Sequence, residues 1–345
     1  MLTGDVSYTN EDIFNICAQY KPQELAHLFA DTTFLISVFQ FVQEQHWMQK
    51  NEKAIDLIFS EFVKKFFKEE LSPVLFFHAS LTDASLEKIE TYKKMTEKIQ
   101  RSVVDYAKNL KFPDNKTFAE QTLKLMSDLF EFEYQLTLSK QDKGLSLGYS
   151  LYRAFDIIDD FFNFEYTTED GLEKTNPNHE RLYQGSGSAV QSSYTTILLV
   201  LRYLKMTKGS RFIDLGSGFG RVGLALGLLR PDIQFTGYEF VKQRVDFAEH
   251  ASQALNMNSH VHFQSQDLSA KDFLIPEAEV YYLFDPFNEE TYVHVMNQLS
   301  AIAKNKKITI ITKGNAKEHF INSSIKGIWS KPQVFEHGNF CLFRS

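Results

Sequence analysis

Residues 211–223 read RFIDLGSGFGRVG: an apolar run, three alternating glycines, then the start of a helical pattern. That order builds a strand, a turn and a helix N-terminus, the arrangement that holds a nucleotide-like ligand beyond the carboxyl end of a sheet strand. With no Cβ atoms at Gly216, Gly218 and Gly220, backbone and ligand can approach closely. A dinucleotide fingerprint needs its third glycine at position 221; Arg221 stands there, which favours a different adenosine ligand. Asp214, two residues before the first glycine, offers a carboxylate suited to an ammonium group and unsuited to a pyrophosphate. Glu239 follows the next apolar run, where a carboxylate accepts hydrogen bonds from both hydroxyls of a ribose. Asp267 follows the third run and is placed to accept from an adenine amino group, or simply to cap the turn that follows it.

The segments DLGSGFG (214–220), GYEF (237–240), QDL (266–268) and YLFDPF (282–287) stand in that order. Together they resemble the seven-stranded, class I methyltransferases. The resemblance covers about residues 181–345 and does not reach the first half of the chain. It implies a seven-stranded sheet with the last strand antiparallel, and S-adenosylmethionine bound across the strand tips. It assigns cofactor contacts to Asp214, Gly216, Gly218, Glu239 and Asp267, with Ser217, Gly220, Phe240 and Leu268 beside them as further candidates.

Phe284-Asp285-Pro286-Phe287 ends the fourth run, on the side where the methyl group leaves. It is similar to the Asp-Pro-Pro-Tyr signature of amino-methylating nucleic-acid enzymes, but lacks one proline and carries Phe287 at the aromatic position. Its layout is also similar to that of seven-stranded protein-lysine methyltransferases. Asp285 can orient an amine and help remove its proton, and Phe287 can pack a methylene stem; alternatively, Asp285-Pro286 only terminates the strand. Tyr183 and Tyr194 flank QGSGSAVQSS, which resembles the pre-sheet loop covering the methionine end of the cofactor. They are candidate lid or acceptor-site residues, with aromatic packing at a helix start as the other reading.

These groups need a frame. Beyond residue 193, short β-branched or aromatic runs at Phe212–Leu215, Gln234–Tyr238, Val261–Gln264, Val280–Phe284 and Lys307–Thr312 alternate with helical stretches. This predicts a mostly parallel sheet covered on both faces. Ile328–Phe335 and Phe340–Arg344 read as a closing antiparallel hairpin. Residues 1 to about 165 are different, with apolar positions at helical spacing. Ile55, Phe59, Phe62 and Phe66 form one stripe; Leu86, Ile89, Tyr92, Thr96, Ile99, Val103, Tyr106 and Leu110 form another. The expected architecture is therefore α/β, a Rossmann-like seven-stranded methyltransferase sheet preceded by an all-α domain. Its parts are a helical domain over 1–166, a linker and cofactor-covering loop over 167–193, and a methyltransferase domain over 194–345.

Composition narrows the function. Residues 1–180 hold 19 Lys+Arg against 30 Asp+Glu (net -11), and residues 181–345 hold 18 against 14 (net +4). Nucleic-acid binding draws much of its affinity from concentrated basic surface, and none is visible here. No apolar run approaches the roughly 18 residues of a membrane span, no signal peptide is evident, and the reducing cytosol is the default compartment for the two distant cysteines, Cys17 and Cys341. No metal is expected: His260 and His262 lack a third ligand, and Asp156, Asp159 and Asp160 read as the solvated face of a helix. The expectation is an S-adenosylmethionine-dependent methyltransferase acting on a protein side-chain amine of the lysine type. The alternatives are a small-molecule N- or O-methyltransferase, and a non-catalytic protein that binds the cofactor.

Overall fold

The computed structural model describes residues 9–47, 86–140, 154–164, 166, 191–322, 327–335 and 339–345. The chain divides into two compact units, 1–161 and 162–345. The stripe from Ile55 to Phe66 lies outside the described residues.

The described part of the first unit is helical. It contains α1 (Asn10–Cys17), α2 (Pro22–Trp47), α3 (Leu86–Ala107), α4 (Asp114–Lys140), a 3-10 turn (Ala154–Ile157) and the short α5 (Ile158–Phe161). Thr9 starts α1 with a capping box: its hydroxyl accepts from Asp12 N–H at 3.1 Å, and its own N–H donates to the Asp12 carboxylate at 2.8 Å. Thr96, Ile99 and Val103 of the predicted α3 stripe are buried, and Phe29, Phe118, Phe130 and Phe155 form the aromatic core. Gln100, also buried, donates to Thr33 Oγ1 (2.7 Å) and to the Ala154 carbonyl (3.1 Å), so the polar group inside this core is paired. Asp159 departs from expectation. Only 2% exposed, it belongs to the interior rather than to a solvated face.

The second unit is a seven-stranded sheet in the order β3-β2-β1-β4-β5-β7-β6. The strands are β1 (Arg211–Leu215), β2 (Gln234–Glu239), β3 (Val261–Ser265), β4 (Val280–Phe284), β5 (Thr309–Lys313), β6 (Gln333–Phe335) and β7 (Phe340–Arg344). β1 to β5 pair in parallel, and β7 runs antiparallel to both β5 and β6. The helices are α6 (Tyr194–Tyr203), α7 (Arg221–Leu229), α8 (Lys242–Ala254), α9 (Glu289–Asn305) and α10 (Ala316–Asn322). Central strands flanked by helices are buried on both faces, which accounts for the unbroken apolar reading of Val280–Phe284. One side of the sheet packs Ile213, Tyr281, Leu283, Val295, Leu299 and Phe343 into a continuous core.

Two registers matter for the site. Asp214 lies opposite Gly237 of β2 and Tyr282 of β4, so the β1 tip sits between the tips of β2 and β4. The strand order reverses direction there, the switch point at which open α/β sheets bind ligands. Among the described residues, no helix is long and apolar enough to cross a membrane.

Candidate active site

β1 ends at Leu215 and the chain turns through Gly216, Gly218 and Gly220 at φ values of 98°, 55° and 89°. L side chains rarely adopt this conformation, which fixes the need for glycine. What the missing Cβ atoms make room for differs from the sequence expectation. A Cβ on Gly216 would lie 2.5 Å from the Pro286 Cβ, and one on Gly218 would lie 2.8 Å from Gln191 Oε1. The close approach is therefore made by the protein's own β4 tip and by the segment leading into α6. The amides of Gly216 and Ser217 both donate to the Tyr238 carbonyl, at 2.9 Å each, tying the turn to β2.

Two carboxylates stand at the adjacent tips of β1 and β2 in opposite circumstances. Glu239, 6% exposed, accepts at Oε2 from Gly218 N–H (2.9 Å) and at Oε1 from Val241 N–H (3.0 Å), and Arg244 Nη1 lies 3.4 Å from Oε1. Oε2, with one donor, keeps lone-pair capacity for a sugar hydroxyl, and on Oε1 the Arg244 contact is longer than the usual N–H···O range, so that oxygen too can be approached by a hydroxyl. Asp214, 2% exposed, has a carboxyl with no hydrogen bond or ion pair among the described residues. Burial first, and the neighbouring Glu239 carboxylate second, push its pKa well above the ordinary value. Ser217 Oγ is likewise buried without a hydrogen-bond partner among the described residues. A buried carboxyl beside a second carboxylate is matched by a cation, and an unpartnered hydroxyl by a polar ligand atom. These residues fit a ligand that brings an ammonium group and a diol.

Further along, Asp267 Oδ1 accepts from Ser269 N–H (2.8 Å) and Ser269 Oγ (2.6 Å), an Asx turn that leaves Oδ2 available. Phe240 is half-buried beside Glu239, whereas Leu268 is a core side chain at 2% exposure.

The β4 tip is built differently. Asp285 adopts φ 45° and is 8% exposed. Its Oδ1 accepts from the Tyr292 hydroxyl (3.3 Å) and its Oδ2 from Asn315 N–H (3.2 Å). His319 stacks on Tyr292 with ring centroids 3.9 Å apart. Phe287, expected to pack an acceptor, is a core residue at 1% exposure, set edge-on against Tyr292. Tyr194 is the first residue of α6, 1% exposed, with the Arg221 guanidinium 5.0 Å from its ring centroid, so it packs inside the domain rather than facing an acceptor. Tyr183 lies outside the described residues.

Sequence reasoning missed several residues of this neighbourhood. Arg221, fully buried, donates to the Ser192 carbonyl (3.1 Å) and the Tyr166 hydroxyl (3.3 Å). Ser192 Oγ and the Tyr282 hydroxyl share a hydrogen bond of 2.6 Å that ties the segment before α6 to β4. Lys313, at the β5 tip, is buried with Nζ 4.7 Å from the Phe284 ring centroid. A signal existed for Arg221 and Arg244: each stands in the first turn of a helix, where the macrodipole disfavours a cation.

No family model matches this chain. Over 59 residues, 17% of the chain, it is 39% identical to ribosomal RNA small subunit methyltransferase G of Yersinia pestis (strain Pestoides F), and the match covers 29% of that protein's length. Among solved structures it is similar to TrmN from Thermus thermophilus, with 16% identity, a TM-score of 0.37, and coverage of 44% of this chain and 48% of that one. It is also similar to an S-adenosylmethionine-dependent O-methyltransferase from Thermotoga maritima, with 14% identity, a TM-score of 0.36, and coverage of 43% of this chain and 63% of that one. The sheet order β3-β2-β1-β4-β5-β7-β6, with its antiparallel β7 and a glycine turn at the end of β1, gives residues 162–345 the fold of the class I, seven-stranded methyltransferases.

Proposed function

We propose that this protein binds S-adenosylmethionine at the tips of β1 to β3 and transfers its methyl group to an amine. The observation that carries the reading is the unlike pair of buried carboxylates: Glu239 is held in place by two backbone amides, and the Asp214 carboxyl has no hydrogen-bond partner among the described residues. Asp214 would hold the ammonium of the methionine portion, Glu239 the two ribose hydroxyls, and the free oxygen of Asp267 the adenine amino group, with Phe240 and Ser217 lining the pocket. When bound, the cofactor supplies an electrophilic methyl group on a sulfonium, which is displaced in line. The protein's task is to align donor and acceptor and to keep water away. Pro286, seated on Gly216, keeps the β4 tip against the glycine turn, which supports reading Asp285 as an acceptor-side group. With Tyr292 and Asn315 already bonded to it, Asp285 offers an amine its remaining lone pairs.

For the acceptor, the reading is a protein side-chain amine. Support comes from charge: residues 1–180 carry a net -11, which attracts a basic polypeptide and repels phosphate. A second reading, methylation of ribosomal RNA, is suggested by the name of the Yersinia relative over a 59-residue match. Incubation with tritiated S-adenosylmethionine and cell lysate, followed by protease or nuclease, separates the two. The protein reading expects label that protease releases and nuclease does not. Nuclease-sensitive label gives the RNA reading, and label confined to small molecules rejects both.

A further inference from the structure

We infer that Arg244 is a positioning residue for cofactor selection, holding Glu239 in the orientation from which both of its oxygens meet a ribose diol. The inference rests on the proposed function and adds a residue that neither the glycine turn nor the strand-tip motifs contain.

Arg244 is the third residue of α8, whose first turn contains no acidic residue. A cation there opposes the helix macrodipole. Lys242 in the same turn is exposed and paired along the helix with Asp246 at 2.7 Å, as a surface lysine would be. Arg244 instead turns inward, 9% exposed, with Nη1 3.4 Å from Glu239 Oε1. Its guanidinium carbon lies 5.9 Å from the centroid of Phe219, the aromatic residue inside the glycine turn. Local helix chemistry does not account for a buried cation at this position; the Glu239 carboxylate is one partner that favours it. Val241 N–H on Oε1 and Gly218 N–H on Oε2 set the plane of the group, and the Arg244 guanidinium adds a charged donor on the Oε1 side that resists its rotation about Cγ–Cδ. Arg244 thereby links the three segments that frame the ribose position: the β2 tip, the glycine turn and the start of α8.

A role in orienting Glu239 shows itself only through the sugar hydroxyls, and this separates it from a contribution to folding. Affinities of the full-length protein are measured by titration calorimetry for S-adenosylhomocysteine and for its 2′,3′-dideoxyribose analogue, in the parent and in the R244M and R244K variants, with melting temperatures of the ligand-free proteins alongside. The parent is expected to prefer the diol ligand by about 100-fold, as hydrogen bonds from two hydroxyls to a charged acceptor would give. R244M should weaken the diol ligand about 10-fold and the analogue less than about 2-fold, with R244K between parent and R244M. In an E239A background, R244M should add nothing to the loss. Equal weakening of both ligands, or an unchanged preference in R244M, overturns the inference while leaving the cofactor reading intact. A parent protein that binds neither ligand, or both equally, overturns the cofactor reading and the inference with it. If R244M does not fold, an R244K preference equal to that of the parent overturns the inference.

Discussion

The tips of β1 and β4 lie on one edge of the same sheet, yet they are satisfied in opposite ways. At β1 the polar groups are buried and unmet: Asp214 has no donor and Ser217 Oγ no partner among the described residues. At β4 the chain meets its own needs, with both oxygens of Asp285 bonded and Phe287 folded into the core. Unmet buried groups cost folding energy and are retained where a ligand repays the cost. Groups that are already paired are held for geometry. On the proposed function, the cofactor half of the pocket is built to need its ligand, whereas the acceptor half is built to stay in place.

Substitutions that should leave one half unaffected while altering the other can break this contrast. The largest effect on stability belongs to the β4 side. Phe287→Ala removes a ring that is 1% exposed, and should cost about 3–5 kcal/mol in a denaturant titration, as for other large-to-small changes in cores. A loss below about 1 kcal/mol would return Phe287 to the acceptor pocket. Next comes Glu239→Ala. At a ligand concentration 100-fold above Kd, binding stabilises the parent by about 2.7 kcal/mol, and most of the corresponding rise in melting temperature should vanish in the variant.

Asp214→Asn should act in two directions. The folded-state pKa of Asp214 is raised, so its contribution to ligand-free stability is present below the unfolded value near 3.8 and is lost as pH rises through the folded value. The asparagine variant escapes that loss. It should melt higher than the parent at pH 8 and equally at low pH, yet bind S-adenosylhomocysteine at least 10-fold more weakly, the loss of about one charge-assisted contact. A variant that melts lower at pH 8 would show that Asp214 has a structural partner. Tyr292→Phe is the smallest, removing one hydrogen bond to Asp285 for about 1 kcal/mol of stability, with cofactor affinity unchanged. A matching loss of affinity would mean that the two halves are coupled.

How much of this was legible in the sequence follows the same division. The positions of Asp214 and Glu239 at the tips of β1 and β2 were readable because each sits one or two residues from a glycine turn or strand end, where chain position dictates direction. The sheet was readable for the same reason: β1 and β4 start or end within a residue of their apolar runs, and β5 is displaced only to Thr309–Lys313. The roles of Asp285 and Phe287 depend on Tyr292, Asn315 and His319, which reach them from α9 and from the turn into α10, and no local pattern announces such partners. Tyr194 was a candidate because its segment resembles a cofactor-covering loop; it stands as the first residue of α6, capped by Ser193 and beside Arg221, which agrees with its other reading of packing at a helix start. In the first unit the α3 stripe was legible from its period, whereas the burial of Asp159 was not, since three acids on a short helix read as solvated in the absence of tertiary context.

The most direct measurement is a crystal structure of the protein with S-adenosylhomocysteine. The account expects both ribose hydroxyls on the two oxygens of Glu239 and the amino nitrogen at Asp214, each at about 3 Å. A ligand whose sugar makes no contact with Glu239, or whose ammonium is paired elsewhere while Asp214 stays without a partner, would contradict it.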